Sequence, residues 1–255
     1  MEDVMIFETY GDKTKPVALL IHCIFYPGAS NYRGIIPYLE KGYYVVVPRL
    51  EGLDYPHHDF TPRVYQADKI VSWLKENKID HIGFLLGASF GAAVAFEILK
   101  ELWLKIDVAV LDAPALKQSK VRGMFFYMEL KKLVKEFKTR GMKVFDNDPR
   151  YKYVSMSDKE YILNVYKNLD NDTIKKLSFS CYDYTLPSAI YRPDTKIKFL
   201  FGEKDKAKMN LPEIKNLHSG EIKIIEGMDH MQYIFDKPKD YLNDCGLKVC
   251  SGCNQ

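Results

Sequence analysis

The pentapeptide Gly87-Ala88-Ser89-Phe90-Gly91 constrains this chain more than any other stretch. It follows an apolar run, His81-Ile82-Gly83-Phe84-Leu85-Leu86, and leads into Ala92-Ala93-Val94-Ala95-Phe96-Glu97-Ile98-Leu99, which reads as a helix. A serine raised on a turn between strand and helix occupies a strained backbone conformation, and bulky side chains beside it would clash. Gly87, Gly91 and the small Ala92 and Ala93 remove those side chains. The segment therefore predicts strand, tight turn and helix in immediate succession.

The same alternation runs along the chain. Short runs rich in β-branched residues predict strands at 4–9, 17–22, 43–47, 82–86, 108–112, 196–201 and 221–225. Helical stretches are expected at 32–40, 61–78, 91–104, 211–216 and 231–243. Strands alternating with helices argue for an α/β fold with a doubly wound, mostly parallel sheet and right-handed crossovers.

Between Asp112-Ala113-Pro114 and Arg192-Pro193 no strand is expected. Val121, Met124, Phe125 and Met128, then Leu130, Val134 and Phe137, recur at helical spacings of three and four. Stretches 157–168 and 172–180 also read as helices. The segment is dense in aromatics: Phe125, Phe126, Tyr127, Tyr151, Tyr153, Tyr161, Tyr166, Tyr182 and Tyr184. They either pack this segment onto the core or line an apolar pocket offering a few phenol donors. Lys131, Lys132, Lys135, Lys138 and Arg140 make one stretch basic. A solvated helix face accounts for it; attraction of an anionic substrate or an acidic membrane surface is the other reading.

A serine on such a turn becomes a nucleophile when a base, an acid that orients the base, and donors for an oxyanion converge on it. The strand Lys196-Ile197-Lys198-Phe199-Leu200-Phe201 ends in Gly202-Glu203-Lys204-Asp205. A later strand ends in Glu226-Gly227-Met228-Asp229-His230. Both partners thus fall at carboxyl ends of predicted strands, where open α/β sheets build their sites. Asp112 also ends a strand and competes with Asp205 for the acid role, while Glu203 is expected to point elsewhere. His22 is expected to order the loop after the second strand, and His81 to begin a strand. His57 and His58 fall in a proline-bounded loop near the mouth of the site, and Asp229 reads as a turn residue.

Together with Leu20-Ile21-His22-Cys23, Val46-Val47-Pro48-Arg49-Leu50-Glu51-Gly52 and Val110-Leu111-Asp112-Ala113-Pro114, these motifs give the chain a resemblance to the α/β-hydrolase family over nearly its whole length. The resemblance implies a core of residues 1–114 and 191–255 with a helical cap, 115–190, inserted over the site. Only one strand is expected before residue 17, so the N-terminal sheet edge is shortened relative to that family. By the same resemblance Ser89 is the nucleophile, His230 the base and Asp205 the orienting acid. The backbone N–H groups of Phe90 and Ile24 would form the oxyanion hole. The chain departs from the family at Cys23, where glycine is usual. Cys23 is expected to be a small buried residue, and acting as a nucleophile is its other reading.

The implied activity is acyl transfer from a small, mostly apolar carboxylic ester, with no cofactor and no metal. Carbon–carbon, amide or acyl-transfer chemistry on the same residues, and capture of a small ligand without catalysis, remain open. Composition narrows the field. Among 255 residues, 47% hydrophobic content supports a core, and a net charge of +3 is too small to argue for nucleic acid. No apolar run reaches membrane-spanning length, and the start, Met1-Glu2-Asp3-Val4, is unlike a signal peptide, so a soluble cytoplasmic protein is expected. Cys245, Cys250 and Cys253 cluster without a nearby histidine and are expected to be reduced thiols.

Overall fold

Val17–Ile21, Tyr44–Pro48 and His81–Ala88 form strands that are buried almost throughout, without polar alternation, the pattern of strands covered on both faces. They are β2, β3 and β4 of a seven-stranded sheet in the order β1-β3-β2-β4-β5-β6-β7. Its other members are β1 (Phe7–Tyr10), β5 (Lys105–Asp112), β6 (Lys196–Gly202) and β7 (Glu221–Ile225). β1 pairs antiparallel with β3, and every other pairing is parallel. The computed structural model describes residues 5–146, 148–187, 189–217 and 219–247.

From β2 the chain steps outward to β3, then crosses back past β2 to β4 and continues to β7. With right-handed crossovers this reversal puts α1 (Ile36–Leu39) on one face and α2 (Arg63–Glu76) and α3 (Phe90–Ile98) on the other. α2 packs on α3. α9 (Pro238–Cys245) returns to the α1 side, where the Lys239 ammonium lies 5.6 Å from the Tyr38 ring. The reversal opens a crevice at the carboxyl ends of β2 and β4, where Ile21 is paired with Gly87.

All seven strands expected from the sequence are present, with one strand ahead of β2. Three helices differ from expectation. The stretch expected at 32–40 is helical only over Ile36–Leu39, after a run of turns. The stretch expected at 91–104 stops at Ile98, because Arg192 holds the carbonyls of Leu99, Glu101 and Leu104 in turns at 2.7–2.8 Å. The stretch expected at 231–243 is two helices, α8 (Gln232–Asp236) and α9, broken where Lys237 takes φ −139°, ψ 62° ahead of Pro238. A residue preceding proline is driven out of the helical region.

Between β5 and β6 lie α4 (Lys120–Arg140), α5 (Met156–Asn168) and α6 (Asn171–Ser180). Side chains of Ser119, Ser155 and Asp170 cap their first turns. Leu130, Leu133, Val134 and Phe137 of α4 are buried, and Phe137 stacks on Tyr166 at 4.7 Å. Val121, Met124, Phe125 and Met128 share the helix but lie in solvent. Three bonds fix the helices to the loop after β2. Tyr166 Oη donates to the Ile24 carbonyl (3.1 Å), Tyr26 Oη to the Arg150 carbonyl (2.7 Å), and Arg33 Nε to Asp158 (3.1 Å). Among the described residues no helix is long and apolar enough to cross a membrane.

α3 meets β2 with no room to spare. A Cβ on Gly91 would lie 2.1 Å from the Ile21 carbonyl oxygen and 2.5 Å from that of His22. Gly42, by contrast, has nothing within 4 Å. Gly91→Ala should therefore lower stability by about 3 kcal/mol or more, whereas Gly42→Ala should change it by less than about 1 kcal/mol. Urea unfolding checks both through the midpoint at constant m-value.

Candidate active site

Ser89 is the N-cap of α3, with φ 52° and ψ −111°. L-residues seldom adopt a positive φ outside glycine, so the surroundings must hold it. The Ser89 N–H donates to the Asp112 carbonyl at 2.8 Å, tying the turn to β5. Gly87 lets the turn close, since a Cβ there would meet the Gly91 carbonyl oxygen at 2.5 Å and Ala92 Cα at 2.6 Å.

His230 arrives from the loop after β7. Its Nε2 lies 3.2 Å from Ser89 Oγ, and its Nδ1 lies 3.0 Å from Asp205 Oδ2. Asp205 is buried, and its second oxygen accepts the Ala207 N–H at 2.7 Å, which fixes the carboxylate plane. The loops carrying Asp205 and His230 are laced together. Lys204 N–H donates to the Met228 carbonyl (2.8 Å), Glu203 N–H to the Ile225 carbonyl (2.9 Å), and Gly227 N–H to the Glu203 carboxylate (2.9 Å). Gly202 permits this contact, because a Cβ there would stand 2.4 Å from the Met228 oxygen. The Asp229 carboxylate accepts the His230 N–H (2.7 Å), forming the turn that presents the imidazole.

Burial disfavours the imidazolium, but the Asp205 hydrogen bond and charge outweigh it, with Asp112 and Asp229 adding to them. The His230 pKa is accordingly held above the ordinary histidine value of 6.5. Asp112 takes the other course. It accepts the Tyr241 hydroxyl at 2.8 Å rather than reaching His230, and burial pushes its pKa up to about 7.

The loop after β2 is ordered by His22. Its Nδ1 lies 2.8 Å from the Cys23 carbonyl and its Nε2 accepts the Leu50 N–H at 3.0 Å, which places the proton on Nδ1. Burial lowers the His22 pKa to about 4, so the ring is a neutral strut. The Cys23 N–H donates to Asn31 Oδ1 at 2.9 Å, and burial raises its thiol to about 12. A thiol held that high supplies no thiolate at neutral pH. Ile24 follows in the same loop, and Phe90 is the first residue of α3, where helical N–H groups lack intrahelical acceptors.

Other sequence candidates lie apart from these contacts. His81 pairs with Asp107 at 2.8 Å near the start of β4 and β5. His58 pairs with the buried Asp54. Cys245 is buried, and Cys250 and Cys253 lie outside the described residues. Asn31, which positions the Cys23 amide, escaped sequence reading because nothing local marks a partner eight residues away.

A cavity of about 500 Å³ adjoins His230. Phe25, Tyr26, Tyr153 and Phe235 form its apolar wall, and Arg150, Lys152, Asp229 and Asp236 its polar rim. The Arg150 guanidinium lies 5.1 Å from the Phe25 ring and pairs with Asp148. Of the aromatics between β5 and β6, Tyr153 lines this cavity, Tyr151, Tyr166 and Tyr184 are buried, and Phe125 is exposed.

Neither a family model nor a curated protein matches the sequence. Solved structures do match the fold. An α/β-hydrolase family protein from Desulfitobacterium hafniense superposes with TM-score 0.73 at 18% identity, covering 93% of this chain and 97% of that one. An esterase from a marine microorganism gives 0.70 at 15% identity, covering 94% and 97%. The epoxide hydrolase CorEH gives 0.70 at 16% identity, covering 96% and 94%. The chain has the α/β-hydrolase fold.

The differing environments of the two acids generate a prediction. A carboxyl whose folded pKa is raised binds its proton more tightly when folded, so stability falls as pH rises from the free value of 3.8 to about 7. Asp112→Asn carries no such charge. Its melting temperature, relative to the parent chain, should climb with pH across that window and level off above it, as read by differential scanning calorimetry.

Proposed function

We propose that this chain is a serine hydrolase that cleaves a small, mostly apolar carboxylic ester, with residues 115–190 serving as a cap over the site. The observation that carries the reading is the pair of contacts made by one imidazole: 3.2 Å to Ser89 Oγ and 3.0 Å to Asp205. That is the arrangement a hydroxyl nucleophile needs, with a base in reach and a carboxylate orienting the base. The strained Ser89 backbone supports the same role, and the likeness to an esterase supports the ester.

In this reading neutral His230 removes the Ser89 proton as Oγ attacks the ester carbonyl carbon. The oxyanion forms beside the N–H groups of Phe90 and Ile24, and a single such donor contributes about 3 kcal/mol of barrier lowering. The tetrahedral adduct expels the alkoxide, which takes the proton from the His230 imidazolium. Water then attacks the acyl carbonyl carbon as it loses a proton to His230, and the second tetrahedral adduct expels Ser89 Oγ, which takes that proton from His230 as the acid leaves. Asp205 holds the imidazole in the tautomer with its proton on Nδ1 and stabilises the cation between steps. The apolar wall of Phe25, Tyr26, Tyr153 and Phe235 suits an uncharged acyl or alkyl group. Cys23, Cys181 and Cys245 are free and buried, which fits the cytoplasmic location that belongs to the same proposal.

Hydrolysis of p-nitrophenyl esters of graded length tests the chemistry and sizes the pocket. Ser89→Ala should lower kcat/KM by about a thousandfold or more with unchanged thermal unfolding, while Cys23→Ala should retain activity. Full activity in Ser89→Ala would exclude Ser89 as the nucleophile.

The pH profile tests the base. Because His230 works as the neutral form and its pKa is raised, activity should fall on the acid side with a midpoint above 6.5. Asp205→Asn removes the principal raising contact, so the midpoint should move to lower pH and kcat should drop by several orders of magnitude. A midpoint unmoved by that change would detach Asp205 from the base.

A further inference from the structure

Four large apolar side chains of α4 stand in solvent: Val121 is 67% exposed, Met124 50%, Phe125 66% and Met128 62%. Their spacing of three, one and three residues places them on one stripe of the helix. The opposite side of α4 is the one that packs. Gly123 sits against the Phe179 ring of α6, and Leu130, Leu133, Val134 and Phe137 are buried. Further along the outward stripe the next turns present Lys131, Lys132 and Lys135, all exposed. Glu129 and Glu136 are the acidic residues of α4, and at 100° per residue both fall at the margin of the stripe. The outward face is thus apolar over its first two turns and basic over the next two.

We propose that this face of α4 docks on an anionic lipid bilayer. A contiguous exposed cluster of this kind marks a contact surface rather than a solvated helix. The charge beside it selects the occupant. Lysines following apolar residues on one face match an acyl layer bounded by phosphate, with the apolar side chains entering the interface and the ammonium groups reaching the headgroups. Docking also brings the candidate site to the membrane. Phe126, next to the stripe, has its ring 6.2 Å from that of Phe25, which lines the cavity beside His230. A lipophilic ester leaving the bilayer would enter there; this last step rests on the serine-hydrolase reading, and the docking does not.

Co-sedimentation of the full chain with vesicles, without substrate, tests the docking separately from hydrolysis. The protein should bind phosphatidylcholine vesicles containing phosphatidylserine, and bind more weakly to phosphatidylcholine alone. Phe125→Ser with Met128→Ser should lower binding by on the order of tenfold or more, and Lys131→Gln or Lys132→Gln by roughly fivefold each. All four positions are exposed, so thermal unfolding should be unchanged, and Ser89→Ala should bind like the parent chain. Absence of binding to the anionic vesicles overturns the proposal, as does binding that the serine substitutions leave unchanged. So does sedimentation-velocity evidence of a dimer that those substitutions dissolve while vesicles are not bound; the face would then join two copies of the chain.

Discussion

The first turn of α3 lies directly against the backbone that ends β2, and the geometry of the site follows from that contact. Gly91 has to be glycine because carbonyl oxygens of Ile21 and His22 occupy the place of its side chain. With the helix pinned so close, the chain leaving β4 turns within one residue, and Ser89 absorbs the turn in its positive φ. A second seam of the same kind brings up His230: Gly202 lets the end of β6 touch the Met228 carbonyl, so the loops of Asp205 and His230 share backbone hydrogen bonds. Two contacts that exclude a Cβ thus hold three side chains from distant parts of the chain at hydrogen-bonding distance.

Electrostatics then separates groups that are chemically alike. Asp205, Asp112 and Asp229 all bear on the same imidazole. Asp205 is anchored by a backbone amide and meets Nδ1; Asp229 is spent on its neighbour's amide; Asp112 is buried against Tyr241 and has a raised pKa. One carboxylate therefore orients the ring, one shapes the turn, and one keeps a proton more readily than a free carboxyl. Cys23 and His22 show the same logic, since burial leaves the thiol protonated and the ring neutral, and both serve the loop rather than proton transfer.

Much of this was legible in the sequence because the signals are local. Seven apolar runs, the small residues around Ser89, and the two loops after β6 and β7 are each read within a few residues. Helix ends were less legible because they depend on distant partners: Arg192, just ahead of β6, ends the helix after Ile98, and only the Pro238 break had a local cause. Apolar spacing in α4 marked a helix but not its orientation, because periodicity reports that a face exists and not what covers it. Leu130 and Phe137 are buried, Phe137 against Tyr166 of α5, whereas Phe125 and Met128 meet solvent. Chain order and resemblance favoured Asp205 over Asp112, but both end strands, and only the fold shows which of them lies beside Nδ1.

The helices between β5 and β6 join these threads. They are fixed to the core through the loop that carries Ile24, so the wall of the cavity and the ordering of the loop after β2 belong to one structure. Reaction with a fluorophosphonate, followed by intact mass and peptide mapping, tests the central claim most directly, because phosphonylation needs an activated hydroxyl and no knowledge of the natural substrate. The account predicts a single adduct on Ser89, formed faster as His230 loses its proton and nearly abolished in His230→Ala. A folded chain that takes up no adduct, or one modified at a residue other than Ser89, would contradict it.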